Sequence, residues 1–174
     1  MIRSRFTKKV LFWGAVALVG AVVLLLVVNY VWAALYPGPA QPIPFSHRLH
    51  VKTKGLQCLF CHNTALKSSS PGMPSVDKCL LCHNVIASQF PPIKRIKTYK
   101  KENTPIPWAK VNVVPEHVQF SHQAHLTRGI DCSRCHGNIR EMDRVRVVHK
   151  FDMNFCVTCH WKSGASVSCM QCHY

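Results

Sequence analysis

The sequence predicts a mainly α and irregular protein, with one N-terminal transmembrane helix and then a domain with little sheet that packs around something other than its own side chains. Three observations predict it. Residues 10–35 contain no charged residue, and about 20 apolar residues suffice to span a bilayer as a helix. Residues 38–174 show no sustained helical or strand period, and prolines interrupt them at 39, 42, 44, 71, 74, 91, 92, 105, 107 and 115. A Cys-x-x-Cys-His unit recurs five times and absorbs all ten cysteines; it is the attachment signature of c-type haem.

The anchor comes first in the chain. Arg3, Arg5, Lys8 and Lys9 precede the apolar run, Trp13 stands near its start, and Tyr30, Trp32 and Tyr36 stand near its end. That is the layout of a helix with interfacial aromatic belts. Pro37 and Pro39 are expected to stop it. A signal-peptide apolar core is only about 7–15 residues, so this longer run reads as a retained anchor. The basic flank keeps residues 1–9 in the cytoplasm, makes residues 10–36 a single span of the inner membrane, and places residues 37–174 on the periplasmic face.

The outer domain is too short and irregular to bury enough apolar surface alone. Five covalent macrocycles would supply the missing core. Its units are Cys58/Cys61/His62, Cys79/Cys82/His83, Cys132/Cys135/His136, Cys156/Cys159/His160 and Cys169/Cys172/His173. In each, the two thiols add to the vinyl groups of one haem, and the following histidine reaches the iron from one face. A zinc ribbon also uses Cys-x-x-Cys pairs but needs no histidine directly after each. A dithiol redox pair would occur once, not five times.

Six histidines lie outside the units: His47, His50, His117, His122, His125 and His149. Five irons could therefore all take a second histidine, with one to spare. An internal repeat points to four of the ligands. FSHRLHVKTKGLQCLFCH from Phe45 aligns with FSHQAHLTRGIDCSRCH from Phe120 with one gap. In each copy two histidines stand three apart, so one helical turn would serve two irons. His117 precedes the second copy and is the fifth candidate. Met142, Met153 and His149 are alternatives, since methionine is also an axial haem ligand. The repeat divides the domain into modules 43–83 and 117–174, with a basic, Pro-rich linker at 84–116. That linker reads either as solvated chain or as an arm on a partner, anchored by Trp108. Trp161, Phe155, Phe60 and Phe120 are expected against porphyrin edges. Only eight residues separate His160 from Cys169, which brings two macrocycles near contact and makes the set a wire. The chain ends at Tyr174, one residue beyond His173, so no extension is expected to cover the last haem.

Charge excludes less than it first suggests. The formal balance is +15, from 22 Lys and Arg against 7 Asp and Glu. Ten ionised propionates on five haems would reduce it to about +5. Nucleic-acid binding therefore finds no support in the basicity.

With these residues in place, the chain resembles the membrane-anchored pentahaem cytochrome c subunits of alternative complex III, a quinol-oxidising assembly of bacterial respiration and photosynthesis. The resemblance covers nearly the whole chain. It is carried by the N-terminal helix, IPFSHRLH before Cys58, PIPWAKVNVVPEHVQFSHQAH before Cys132, and MNFCVTCH at the fourth unit. The FSHxxH-then-CxxCH pattern is shared more widely with class III multihaem cytochromes. A histidine often stands in the family where this chain has Asn112, a departure that favours His117 as a ligand here. The resemblance implies a non-catalytic electron-transfer subunit. Its implied partners are an iron–sulfur subunit, integral membrane quinol-binding subunits, and a monohaem cytochrome or soluble electron acceptor. Two other functions compete. A stand-alone membrane-anchored quinol dehydrogenase would feed a periplasmic reductase. A nitrite-type reductase would need an open iron, against which the supply of histidines argues.

A pyridine haemochrome assay of the purified chain is expected to give five haems per polypeptide. Any other stoichiometry removes the basis for the predicted fold.

Overall fold

A computed structural model describes residues 2–36 and 38–174; within the first helix, side chains are described at residues 9–32 and 35. The chain divides into two units, 1–37 and 38–174.

The first unit is one helix, α1 (Ile2–Leu35). At 1.5 Å per residue its 34 residues extend about 51 Å. Residues Lys9–Trp32 have a mean hydropathy of 2.8 and are exposed all round, a helix long and apolar enough to cross a membrane. Asn29, the polar residue inside the run, returns its Nδ2 to the Leu25 carbonyl at 2.8 Å, so its amide does not depend on water. The side chains of the basic flank before Lys9, and the expected stop at Pro37, lie outside the described residues.

The second unit is built from short helical pieces. In order they are a π-helical turn (Arg48–Thr53), α2 (Cys58–Cys61), a 3-10 turn (Asn63–Leu66), α3 (Val76–His83), α4 (Pro91–Lys101), α5 (His122–Leu126), α6 (Ser133–His136), a 3-10 turn (Ile139–Glu141), α7 (Met153–Lys162) and α8 (Cys169–Cys172). Among the described residues there is no strand, only an isolated antiparallel bridge between Val118 and His173. The helix starts follow capping chemistry. Ser75, Ser121 and Asp152 accept from the backbone N–H three residues on, at Lys78, Ala124 and Phe155. Gly137 ends α6 at φ 70°, where a Cβ would meet the Val148 side chain at 2.8 Å; only glycine fits there.

The protein core is small. Ile43, Leu80, Ile93, Ile96 and Ile106 are its buried members, with Val76, Cys79, Tyr99 and Trp108 packed against them. It joins α3 to α4 and to the neighbouring chain at Ile43, Ile106 and Trp108. The two repeat modules are instead tied by polar contacts: the Arg48–Asp143 and Lys52–Glu141 ion pairs and Arg48 N–H to the Met142 carbonyl. These pairs are more than a third exposed, so they set register more than they stabilise.

The segment expected to be a solvated linker or an extended arm departs from that expectation. Pro91 and Pro92 occupy the first turn of α4, where a missing N–H is harmless and a fixed φ favours the helix. Ile93, Ile96 and Tyr99 then share a face and bury it against α3. Gln41 and Ala109 exchange two hydrogen bonds (3.0 and 2.9 Å), and Arg95 donates to the Pro42 carbonyl at 2.8 Å. Trp108 is packed inward on this core rather than offered to a partner.

Ile96→Ala is expected to cost about 2–4 kcal/mol. It should free α4 without removing any haem. Local hydrogen exchange over residues 91–101, alongside an unchanged haem absorbance, checks both parts.

Candidate haem-binding site

The site starts from local helix geometry. In every Cys-x-x-Cys-His unit the residues i, i+3 and i+4 fall on one face of a short helix or its cap, and the five units occupy α2, α3, α6, α7 and α8 with their flanking residues. These faces turn toward a single open cavity of about 3730 Å³, lined by all ten cysteines and all eleven histidines.

The cysteines are not arranged for redox exchange. None of the ten is in a disulfide. The Cys61, Cys79, Cys132, Cys135 and Cys156 thiols are all pushed above the ordinary thiol range, in each case chiefly by burial. Reactive dithiols depend on the opposite shift. Nor do three His, Cys, Asp or Glu side chains converge on a bare ion anywhere among the described residues, which disfavours the zinc-ribbon alternative.

The histidines are arranged for ligation. Nδ1 of His50, His62, His83, His122, His125 and His160 faces a backbone carbonyl, on Ser46, Gly72, Ile86, Ser69, Ser121 and Ser166 respectively, at 2.7–3.1 Å. An Nδ1–H donated in this way leaves the lone pair at Nε2, the arrangement found in metal-bound imidazoles. At His136 the neighbour is a side chain instead: its Nδ1 stands 3.1 Å from the Asn112 side-chain amide. That amide can donate to Nδ1 or, turned over, accept from it; only the second leaves Nε2 free.

The rings also stand in pairs. His50 faces His83 with centroids 6.1 Å apart, His122 faces His136 at 6.3 Å, His125 faces His160 at 5.9 Å, and His117 faces His173 at 5.6 Å. A metal between two imidazoles with bonds of about 2 Å to each fits this spacing once the half-width of each ring is included. His47 neighbours His62; burial first, then His62 and His50, hold its pKa down to about 4, so its ring is neutral and available. Its Nδ1 is buried without a hydrogen-bond partner. His136 is likewise held low, by burial and then by His122 and His62.

Four of the six histidines from outside the units thus meet a unit histidine ring, while His47 and His149 have phenylalanine rings as their ring neighbours. His149 stacks on Phe155 at 5.4 Å and meets no histidine ring. Met153 lines the cavity but is 70% exposed, and Met142 does not line it. Phe60, Phe120 and Phe155 line the cavity as expected. Trp161 does not: it is 77% exposed and points away from it, because α7 gives its cavity face to Cys156, Cys159 and His160.

The repeated Phe-Ser-His triplet has a role that residue counting did not reveal. Phe45 stacks on His50 at 4.3 Å and meets His47 edge-on at 4.9 Å, while Phe120 packs on His125 and His122 at 4.7 Å each. Ser46 and Ser121 supply the carbonyl for the second histidine, and their hydroxyls accept from Leu49 N–H and Ala124 N–H. One triplet therefore orients two imidazoles. The copying of the whole triplet, not just of its histidine, was the available signal.

The donor set, its tautomers and its spacing fit c-type haem. Comparison with known proteins agrees. Residues 118–174 match the family described as cytochrome c7 and related cytochrome c. The matched segment holds the third, fourth and fifth Cys-x-x-Cys-His units, so this part of the chain is a multihaem cytochrome domain. Over 103 residues, 59% of its length, it is 36% identical to the multihaem cytochrome c subunit of menaquinone reductase from Nitratidesulfovibrio vulgaris (strain Hildenborough). The chain spans about half, 48%, of that relative's length.

Asn112 should tune one haem. An acceptor on Nδ1–H makes the imidazole a stronger donor and favours the oxidised iron. Asn112→Leu is expected to raise, and Asn112→Asp to lower, the midpoint of a single component in a spectroelectrochemical titration, leaving the other components in place.

Proposed function

We propose that this chain is a five-haem electron-transfer subunit, anchored in the membrane by α1, within a quinone-linked respiratory or photosynthetic assembly of the alternative complex III type. The observation that carries it is the pairing of histidines. The pairs His47/His62, His50/His83, His122/His136, His125/His160 and His117/His173 would hold the first, second, third, fourth and fifth groups from both faces. No iron is then left open for a substrate. The thiols of each unit would hold the ring edge by thioethers. The carbonyl acceptors fix which nitrogen is offered, and Phe45 and Phe120 keep the ligand rings upright and dry. A c-type haem, when bound, supplies an iron that takes up and returns one electron without breaking a bond.

The membrane setting is supported by the apolar helix and by the relative, whose name ties it to menaquinone. In this reading α1 crosses the inner membrane with its basic end inside, and the haem domain faces the periplasm. Partner subunits would be an iron–sulfur protein, integral quinol-binding subunits and a monohaem cytochrome or soluble acceptor. The relative's name also favours a second direction of flow, toward the quinone rather than from it. The two directions separate in membranes: quinol analogues should reduce the haems in the first case, while in the second the reduced haems should be oxidised by added quinone.

Carbon monoxide is expected to leave the spectrum of the reduced protein unchanged; a bound fraction would mean an open iron and a catalytic role. Gentle detergent extraction should recover the chain in a large complex. Recovery of a lone chain that menaquinol analogues reduce would favour the stand-alone dehydrogenase. His122→Ala and His125→Ala should each create one high-spin iron, and the two should differ in their electron paramagnetic resonance. Identical signals would contradict the pairing.

A further inference from the structure

The five units stand in single file, and one end of the file carries a surface that electron storage alone does not require. His47 and His50, on one turn, meet the first and second units. Ser69, just beyond the first unit, accepts from both the backbone N–H (3.2 Å) and Nδ1 (2.9 Å) of His122, which meets the third. His122 and His125, on α5, meet the third and fourth. The Cys172 carbonyl of the fifth accepts from Gln119 N–H at 2.7 Å, on the strand of chain leading into α5, and Cys172 lies beside Cys156 of the fourth. The spatial order is therefore second, first, third, fourth, fifth. The second unit, on α3, is terminal.

Against this terminal unit lies α4, held by the only apolar core in the domain among the described residues. Its Lys94, Lys97 and Lys101 recur at i, i+3 and i+7, along one side of the helix. Lys100 pairs with Asp77 and Arg95 binds the Pro42 carbonyl. The ammonium groups of Lys94, Lys97 and Lys101 make no ion pair or hydrogen bond among the described residues. None of the three lines the cavity, whereas eight other Lys and Arg side chains do. Those eight cations would be available to cofactor propionates, and none of them belongs to the stripe. Leu81 and Val85, four apart on and just beyond α3, are 66% and 83% exposed and also stand outside the cavity.

We propose that the α4 stripe is the docking face for a soluble redox protein with an acidic surface, which meets the file at its second-unit end. This rests on the five-haem reading. A basic helix beside exposed apolar residues also suits an anionic membrane, but such a helix must insert its own apolar face. Here that face, Ile93 and Ile96, is buried against α3. A stripe fixed on a rigid helix steers an oppositely charged partner and sets its orientation.

The test uses the haem-loaded full chain in detergent and the acidic soluble domain of cytochrome b5 as probe. Lys94→Glu/Lys101→Glu should slow association with the probe about tenfold at low salt and flatten its salt dependence. The charge-matched Lys67→Glu/Arg128→Glu, distant in sequence and outside the cavity, should change it far less. Equal slowing by both pairs, or none by the first, overturns the proposal. So does a stripe variant that binds the probe normally but loses binding to phosphatidylglycerol vesicles, which would assign the face to lipid. Carbodiimide cross-linking of the unaltered protein to the probe gives an independent readout: links should concentrate at Lys94, Lys97 and Lys101, and links elsewhere refute it. Haem content and dithionite reduction of the unaltered protein report separately on the five-haem reading.

Discussion

A histidine that gives its Nδ1 proton to a backbone carbonyl can offer only Nε2, and it can offer it in only one direction. The rest of this domain depends on that constraint. Six imidazoles are held this way, five by carbonyls within ten residues of the ligand and His122 by the distant Ser69 carbonyl. The irregular loops are therefore not slack between helices. Each loop has a carbonyl to present at a given place, which is why so many run as single turns capped by serine, aspartate or glycine.

The same constraint explains how a chain with few buried side chains keeps a defined shape. Conformational entropy opposes fixing every loop residue, and the apolar cluster around Ile93 and Ile96 reaches only α3, α4 and the chain at Ile43 and Ile106–Trp108. In the proposed pairing, the remaining order would come from groups bridged by pairs of histidines. Each such bridge acts as a cross-link, closing a loop whose ordering cost grows only slowly with its length. The ion pairs of Arg48 and Lys52 align the two modules, whereas each proposed ligand pair lies within one module.

Much of this was legible in the sequence, where a residue type was itself the signal. The five units, the apolar span and the FSHxxH repeat each announce their chemistry by identity and spacing. What stayed hidden was carried by the backbone or by context. The carbonyls of Gly72, Ile86 and Ser166 have no side-chain signature, so the second layer of the site could not be read. Pro91 and Pro92 read as breakers because proline usually is one, yet at the start of α4 they promote the helix. Trp161 read as a porphyrin neighbour because it follows His160, but the helical turn that aims His160 inward aims the next residue out. Asn112 was visible only as a departure from a family pattern; its meaning lay in a contact with His136, 24 positions away.

The placement of the outside histidines has a further consequence for how the protein is made. His47 and His50 precede the first and second units, and His117, His122 and His125 precede the remaining three. In the proposed pairing, a chain delivered from its N-terminus would present the outer ligand of every group before the cysteines that anchor it. Each unit can close as soon as its own cysteines and histidine arrive, without waiting for downstream chain. The first module can be complete while the second is still emerging, so partly assembled states expose few unfinished sites to misligation or aggregation. The direction of synthesis and the order of the ligands run the same way.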